Sequence, residues 1–587
     1  MIRFCRAILY AALFCALISV SLPAHAEETA KPQSNLARAQ QIFEELMEMT
    51  PNDPDIYRYL GDIYASYNDI DKAREFYKKY AEMRPQDYYP YYQLGTIYWD
   101  NNDKKRAKEA YGQSLERMPP IPPSKDEPLS KEDKLYADLA TARMNAFLGE
   151  TELSDQQFAD LMEKNPGNEE VATTYVNTLI DQKRNEEALA FATSYLESNP
   201  KSYPMRSAMA RAYVLDSDYD KAEPIIEDLI VEQPNNIDAK TQYAYLKQSK
   251  RQWFSSLPIF EELMRMYPDN PDIRAARDEA WRNTRPTLRW GGSFIRNGSD
   301  NHYGPYVDYY HPMNDQWAFN ANWSLLRHTG VVPGFDPDYV AYTNIVSMMV
   351  LYKPYWTVTV GGGLESQMVD SNYSPAPHVL AIWDDPVVGW FRLDYIYNGL
   401  LFDPTSGLYF NSKKDSLLLQ YSRTFYDFFI LSAYYGSNWY YVDSGRTGLR
   451  LNNEFGREDI AGAGFQFMVH KRPDIIVGYA FDFSKLHVVN NYLPLIPLIT
   501  DKQQHSPTFR IGYDWNKWVR TEVGGFFGYD PKRNLGVGDL YGFDIANRVR
   551  ISERFEISGW YYYSSERPTL AAPGRYQTGG LDFLYRF

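Results

Sequence analysis

The chain from residue 286 onward alternates between apolar and polar residues with a period of two. In the segment FRIGYDW, Phe509, Ile511 and Tyr513 share one face, while Arg510 and Asp514 lie on the other. This period is that of a β-strand whose two faces meet different surroundings. The pattern predicts sixteen strands, near residues 287–296, 302–312, 316–328, 338–352, 355–365, 376–383, 387–397, 415–425, 427–441, 454–469, 473–484, 505–515, 518–529, 539–551, 554–566 and 576–587.

The links between these strands decide between a soluble sandwich and a membrane barrel. Links from an even to an odd strand are short, as at 313–314 and 471–472, whereas most links from an odd to an even strand are long, as at 329–338 and 442–453. Short turns on one side and long loops on the other are typical of bacterial outer-membrane barrels. We therefore predict a C-terminal antiparallel transmembrane β-barrel of about sixteen strands over residues 286–587, surrounded by outer-membrane lipid.

The first half of the chain repeats with a helical unit. Small residues such as Ala73 and Ala107, and rings such as Tyr77 and Tyr111, recur every 34 residues. A small residue is needed where two helices cross closely, and a ring fills the space beside it. Prolines keep the same interval, with one longer gap, at positions 51, 85, 119, 166, 200, 234 and 268. The pattern resembles the tetratricopeptide repeat, which implies an all-α superhelix with a concave groove.

The register of this repeat predicts the organisation of the first domain. A lone helix near 36–50 precedes the repeats, a capping helix near 271–283 follows them, and a Pro-rich insertion over 119–133 accounts for the longer interval. We expect the repeat domain to occupy residues 27–285 and to lie in the periplasm. The six full repeats are 54–87, 88–121, 135–168, 169–202, 203–236 and 237–270.

The first 26 residues have the layout of a secretory signal peptide. Two arginines precede an apolar run, and the small-residue sequence AHA follows it. A membrane anchor is the weaker alternative, because the run is short and ends at a cleavage signal. Both cysteines of the chain, Cys5 and Cys15, lie in this segment, so we expect a mature protein without disulfides.

Charge and motifs exclude several classes of function. The formal net charge of −15 disfavours nucleic-acid binding, since phosphate contacts need a basic surface. The Gly-rich segment 360–366 lies in a predicted strand and leads into no helix, so it is not a phosphate loop. No nucleophile motif and no His spacing typical of a metal site stands out. We predict a protein that is not an enzyme and that uses no cofactor and no metal.

A barrel of about sixteen strands is wide enough to enclose an aqueous channel unless loops plug it. The charged positions of the strands fall on the face opposite the apolar residues and are therefore expected to line the lumen. An alternative role is structural, with Arg–Asp pairs that hold the wall together. The lumen-lining candidates are Arg392, Asp394, Arg510, Asp514, Arg520, Glu522, Asp544, Arg548 and Arg550.

Two further sets of residues are candidates for binding. In tetratricopeptide repeats the first helix of each unit lines the groove. Packing between repeats is the alternative role for Tyr89 and Trp99. The closing strand LDFLYRF ends on an aromatic residue and resembles the signal read by the barrel-assembly machinery. The groove candidates are Asp55, Arg58, Asp62, Tyr89, Tyr92 and Trp99, and the assembly-signal candidates are Thr578, Gly580, Phe583, Tyr585 and Phe587.

The predicted combination of a repeat domain and a barrel resembles the exopolysaccharide exporters of Gram-negative envelopes, such as the poly-β-1,6-N-acetylglucosamine porin and the cellulose-export outer-membrane subunit. This chain has fewer repeats than those proteins usually carry. The resemblance implies that the barrel passes a polysaccharide chain and that the repeats recruit periplasmic proteins or guide the polymer. Two alternatives stay open. One is a translocator of surface lipoproteins, usually with fourteen strands, and the other is a phage receptor or adhesin with a plugged lumen.

Overall fold

The computed structural model describes residues 42–43, 45–46, 49–50, 52–66, 70–100, 103–118, 130–268, 270–370, 372–426, 428–442, 454–531, 540–565 and 575–587. The predicted signal peptide, most of the predicted lone helix and the Pro-rich insertion up to residue 129 lie outside these residues. So does the predicted long loop at 443–453.

Pairs of antiparallel helices make up the first half of the described chain. No helix in the described part is long and apolar enough to cross a membrane. The helices are α1 (Pro54–Ser66), α2 (Ile70–Met83), α3 (Tyr89–Asp100), α4 (Lys104–Leu115), α5 (Lys131–Leu148), α6 (Thr151–Lys164), α7 (Glu169–Asp181), α8 (Asn185–Ser198), α9 (Tyr203–Leu215), α10 (Tyr219–Glu232), α11 (Ile237–Ser249), α12 (Trp253–Met266) and α13 (Pro271–Thr284).

The chain divides into two compact units, one of residues 1–129 and 265–271, the other of residues 130–264 and 272–587. In the first unit, the crossing of α1 and α2 explains the repeated small residue. A Cβ added to Gly61 would lie 2.6 Å from the ring of Tyr77, which is itself 1% exposed. In the second unit the corresponding positions bring together fully buried small and large apolar residues, including Ala222 and Ile226.

Sixteen strands form one closed antiparallel barrel, in which each strand pairs with the next and β1 pairs with β16. A short helix, α14 (Ser406–Tyr409), interrupts the link between β7 and β8. The strands are β1 (Thr287–Asn297), β2 (Asp300–Pro312), β3 (Trp317–Val332), β4 (Asp336–Tyr355), β5 (Val358–Val369), β6 (Asn372–Asp385), β7 (Gly389–Leu400), β8 (Lys413–Phe425), β9 (Phe429–Tyr441), β10 (Glu454–Lys471), β11 (Asp474–Val488), β12 (Asp501–Asp514), β13 (Val519–Gly528), β14 (Leu540–Arg550), β15 (Phe555–Ser564) and β16 (Tyr576–Arg586).

The seam between β1 and β16 is continuous. Its register runs from Thr287 opposite Arg586 to Asn297 opposite Tyr576 without a shift. On the outer side, the ring of Trp290 stacks on that of Phe583 with centroids 5.8 Å apart. The seam therefore has the pairing of an ordinary strand interface and leaves no lateral opening.

The two faces of the barrel wall differ as the alternation predicts. Large apolar side chains of the outer face are exposed, with Phe509 and Ile511 both 42% accessible to solvent. The inner face carries charged and hydrogen-bonding groups. An apolar outer band around a polar interior is the construction of an outer-membrane barrel. Below, the end of the barrel where β1 begins is called the proximal end, and the opposite end the distal end.

Candidate functional site: the lumen of the barrel

All nine predicted lumen residues lie on the face opposite the exposed apolar side chains, and ion pairs join them along the wall. The guanidinium of Arg520 is surrounded by three carboxylates, at 2.7 Å from Asp474, 3.0 Å from Asp514 and 2.8 Å from Glu522. Arg510 lies farther from its partner Asp544, at 3.9 Å. These contacts hold neighbouring strands together, as the structural alternative predicts.

The remaining candidates have partners that the sequence did not reveal. Asp394 on β7 pairs with Arg392 and also with His378 on β6. Arg548 and Arg550 on β14 share one carboxylate, Glu556 on β15, at 3.5 Å and 3.9 Å. The alternation would have placed Glu556 on the inner face, but only the strand register brings it opposite Arg550.

The distal end of the lumen is filled by the link between β7 and β8, here called the first plug loop (residues 401–412). This loop reaches β1 and β2, where Asn297 donates a hydrogen bond to Asp403 at 2.8 Å and the backbone N–H of Thr405 donates to Asp300 at 2.9 Å. Those strands lie on the other side of the barrel from β7 and β8. The first plug loop therefore crosses the lumen.

A ring of the first plug loop covers a buried histidine pair. The centroid of Phe402 lies 5.5 Å from that of His302 and 5.6 Å from that of His328. The Nδ1 atoms of the two histidines are 2.8 Å apart, and Nε2 of His328 is 2.8 Å from the hydroxyl oxygen of Thr343. His328 is four residues before the distal end of β3, so the loop extends well below the rim.

A second loop packs against the first at the distal end. The link between β11 and β12, here called the second plug loop (residues 489–500), packs Tyr492 on Phe455 of β10 with ring centroids 5.8 Å apart. Ile496 of this loop and Phe410 of the first plug loop are each 1% exposed and belong to one apolar cluster. The cluster also contains residues of β3, β4, β5, β9, β10 and β11, and hence joins nearly opposite sides of the barrel.

At the proximal end, helices are fixed to the turns of the barrel. Asp315, in the turn between β2 and β3, accepts hydrogen bonds from the backbone N–H groups of Phe254 (2.8 Å) and Ser255 (3.1 Å). It thereby caps the N-terminus of α12, where a carboxylate is favoured. Lys353 of β4 donates to the carbonyl oxygens of Lys250 and Arg251, which follow α11.

Ion pairs strengthen this attachment. Arg251 pairs with Asp384 of β6, and Tyr355 donates a hydrogen bond to Asp220 of α10. Within the helices, Glu223 pairs with Lys247 and Lys250. Burial opposes ionisation of Glu223, but the hydrogen bonds from the two lysines outweigh it, so the pKa of this carboxyl is lower than usual.

The predicted groove residues contact one another. The guanidinium of Arg58 lies 4.2 Å from the ring centroid of Tyr89, whose hydroxyl donates to Asp62 at 2.9 Å. Burial, with the charge of Asp62, raises the pKa of Tyr89 to about 12. The rings of the other two aromatic candidates also have neighbours, since Lys104 lies over Trp99 and Tyr111 is beside Tyr92. The last candidate, Asp55, is at the start of α1. The contacts of Tyr89 reach the preceding repeat and favour packing between repeats for this ring, whereas Lys104 and Tyr111 belong to the same repeat as Trp99 and Tyr92.

The predicted assembly-signal residues all lie at the seam. Thr578 donates a hydrogen bond to the carbonyl of Phe294 on β1 at 2.9 Å, and Phe583 stacks on β1 as described above. A Cβ on Gly580 would lie 3.0 Å from the indole nitrogen of Trp560. The rings of Tyr585 and Phe587 are in edge contact on the outer face. Recognition by the assembly machinery stays a prediction.

Comparisons with known proteins agree on the repeats. Tetratricopeptide repeat models match residues 33–95 and 179–248, and a second such model matches residues 88–119. The chain therefore carries tetratricopeptide repeats followed by a closed sixteen-stranded antiparallel barrel, which confirms the predicted fold class. A sequence search of curated proteins finds no match.

Among solved structures, several resemble parts of the chain. A bacterial polysaccharide outer membrane secretin is 10% identical, covers 52% of this chain and 99% of its own, and gives a TM-score of 0.40. The CymD monoaromatic hydrocarbon channel is 9% identical, covers 53% and 91%, and gives a TM-score of 0.28. YrrB, a TPR protein with an unusual peptide-binding site, is 19% identical, covers 34% and 95%, and gives a TM-score of 0.20.

Proposed function

We propose that this protein is an outer-membrane export pore for an exopolysaccharide, with its repeat domain in the periplasm. The observation that carries the proposal is a ring of sixteen strands with a sealed β1–β16 seam and a charged inner wall. A barrel of this size has room for a hydrated polymer. Fourteen strands or a lateral opening would instead favour a translocator of surface lipoproteins.

In this proposal the polymer enters at the proximal end and leaves past the two plug loops. The repeat domain recruits periplasmic proteins or guides the chain toward the lumen, and the barrel-assembly machinery inserts the barrel into lipid. The attachment through Asp315 and Lys353 supports this arrangement, because it holds α11 and α12 at the proximal mouth. The lumen below the plug loops is lined by polar groups and can hold a hydrated polymer. The plug loops therefore act as the gate at its distal end.

The first test is genetic. We expect that deletion of the gene removes a polysaccharide from the cell surface and that the intact gene restores it. Unchanged surface polymer together with lost surface lipoproteins would favour the translocator and contradict export.

A locked plug tests whether the lumen is the route. The lock is built in an Asp300→Ala background, because a Cβ on Gly330 would otherwise lie 2.1 Å from Oδ1 of Asp300. This Cβ is also 2.8 Å from Oγ1 of Thr405, close enough for a disulfide between the barrel wall and the first plug loop. We expect the double variant Gly330→Cys/Thr405→Cys to block surface polymer until a reductant is added. Each single cysteine variant is the matched control and should export normally.

The filled distal end favours a second candidate function, that of a phage receptor or adhesin. In that case the outer surface of the plug and loops binds the partner, and polymer does not pass. The locked variant separates the two functions, because a receptor or adhesin should work equally well in its oxidised and reduced forms.

A further inference from the structure

The proximal end of the lumen contains a cavity of about 660 Å³ between α11–α13 and the inner faces of β1–β7 and β16. Its size is that of a small-ligand site. Six basic side chains line it but only three acidic ones, Glu279, Asp315 and Asp384. The basic residues are Arg251, Arg282, Arg285, Arg289, Lys353 and Arg586. This excess of positive charge is local, because the whole chain has a formal net charge of −15.

The three carboxylates of the cavity already have partners. Asp315 caps α12, and Asp384 pairs with Arg251. Glu279 accepts a hydrogen bond from the side-chain amide of Gln248 at 2.7 Å. These contacts hold the carboxylates in place but do not cancel their charges, so the lining carries six basic groups against three acidic ones.

Three of the cations have no carboxylate within ion-pair distance, although Asp582 acts on Arg289, and Asp315 and Asp384 act on Lys353, at longer range. Within the described residues, Arg285, Arg289 and Lys353 make no ion pair, and the buried Nε of Arg285 has no hydrogen-bond partner. Arg586 is 3.9 Å from Glu556, which it shares with Arg548 and Arg550. Farther round the wall, on β13, the local balance is reversed, since three carboxylates surround Arg520.

Aromatic side chains complete the lining. Trp253, Trp390 and Tyr310 face the cavity beside the arginines. Flat rings offer apolar surfaces to the faces of sugar rings, and guanidinium groups form paired hydrogen bonds with carboxylate or phosphate oxygens. The cavity thus combines the two kinds of group that would recognise a charged sugar.

We propose that this cavity binds an anionic saccharide segment, bearing carboxylate or phosphate groups, as the polymer enters the barrel. The inference rests on the proposed export function and specifies its substrate class. It differs from the roughly balanced charge of the lumen wall as a whole, because six basic side chains are gathered around the proximal cavity.

The test is calorimetric binding to the purified full chain in detergent. The probes are a galacturonate hexamer, maltohexaose bearing one phosphate ester, and unmodified maltohexaose. We expect at least one anionic probe to bind and the neutral one to bind at least about tenfold more weakly, with salt weakening the anionic complex. The two anionic probes identify carboxylate or phosphate as the preferred group.

Substitutions locate the site. Arg285→Gln/Arg289→Gln should weaken the anionic complex at least about tenfold, whereas Arg289→Lys should keep part of the affinity. The matched control is Arg296→Gln, which lies on the outer face of the same strand and should bind normally. Equal binding of neutral and anionic probes, or unchanged binding by the double variant, would overturn the inference.

The surface polymer separates this inference from the proposed function. If deletion of the gene removes a polymer that contains neither carboxylate nor phosphate, export stands and the anionic site is wrong. If no polymer is lost, yet the purified protein binds anionic saccharides through Arg285 and Arg289, the site stands and export is wrong.

Discussion

Removal of the first plug loop should open the lumen. Leu401 donates a backbone hydrogen bond to Ser412 at 3.1 Å, directly beyond the last pair of β7 and β8. The two strands are therefore adjacent at this point, and residues 402–411 can be replaced by the two-residue turn Asn-Gly. The replacement leaves the barrel register unchanged and removes the part of the loop that crosses the lumen.

The buried side chains give the magnitude. Leu408 and Phe410 are each 1% exposed within the apolar cluster. Truncating a buried Leu to Ala costs about 2–5 kcal/mol and truncating a buried Phe about 3–5 kcal/mol. Loss of both side chains should destabilise the closed state relative to the open state by roughly 5–10 kcal/mol. The fraction of open channels should therefore rise at least about a thousandfold. Phe410→Ala alone should raise it about a hundredfold or more.

Single-channel recording in planar bilayers measures the open fraction. We expect rare openings for the unchanged protein and a persistently conducting channel for the loop replacement. Phe428→Ala is the control, because this ring is 46% exposed in a proximal turn, far from the plug. A folded loop-replacement variant that stays as closed as the unchanged protein would refute the assignment of the plug.

Three further predictions concern the helices. Gly61→Ala should lower the free energy of unfolding of the repeats by about 1–3 kcal/mol, because its Cβ would collide with Tyr77; urea unfolding followed by circular dichroism measures this. Asp315→Ala should remove about 1 kcal/mol of capping from α12 and speed hydrogen exchange at residues 254–255. The free energy of unfolding of the helices should be constant above pH 4.5, the usual pKa of a Glu side chain, and should decrease as the pH falls through the lower pKa of Glu223 in the folded protein. Glu223→Gln should remove this dependence. Urea unfolding at several pH values measures both.

Matched variants make these outcomes specific. Gly112→Ala should instead stabilise α4 by roughly 0.5–1 kcal/mol, because no atom lies within 4 Å of its added Cβ. Asp385→Ala removes a carboxylate that binds only backbone amides of its own turn, so exchange in α12 should not change. Each explanation has an outcome that would contradict it. For the helix crossing, this is an equal effect of Gly61→Ala and Gly112→Ala. For the cap it is unchanged hydrogen exchange in Asp315→Ala, and for the carboxylate it is an unchanged pH profile in Glu223→Gln.

The sequence predicted the architecture because each half obeys one local period. Strand alternation follows from neighbouring residues alone, and the 34-residue interval follows from one helix crossing such as that of Gly61 and Tyr77. Link lengths were also sufficient to predict a barrel of about sixteen strands. These signals need no knowledge of which distant residues meet.

The closure of the lumen could not be predicted in the same way. Asp403 meets Asn297, and Phe402 meets His302, across about a hundred positions of sequence and without any repeating spacing. The charge balance of the proximal cavity was missed for a related reason. Arg285 comes from the end of the helical domain and Arg586 from the last strand, and only the closed ring brings them to one cavity.

Both plug loops are covalently joined to the barrel only at the ends of their own hairpins. Swinging the loops outward breaks contacts with the wall, including the backbone hydrogen bonds from Thr405 to Asp300 and from Val489 to Phe455. It breaks no pairing between neighbouring strands, so we expect the barrel to keep its shape. A chain pushed from the proximal side would lift the loops away from the lumen, whereas pressure from the distal side would seat them more deeply. Under the proposed export function, we expect the plug to behave as a one-way valve that yields to a polymer from the proximal end.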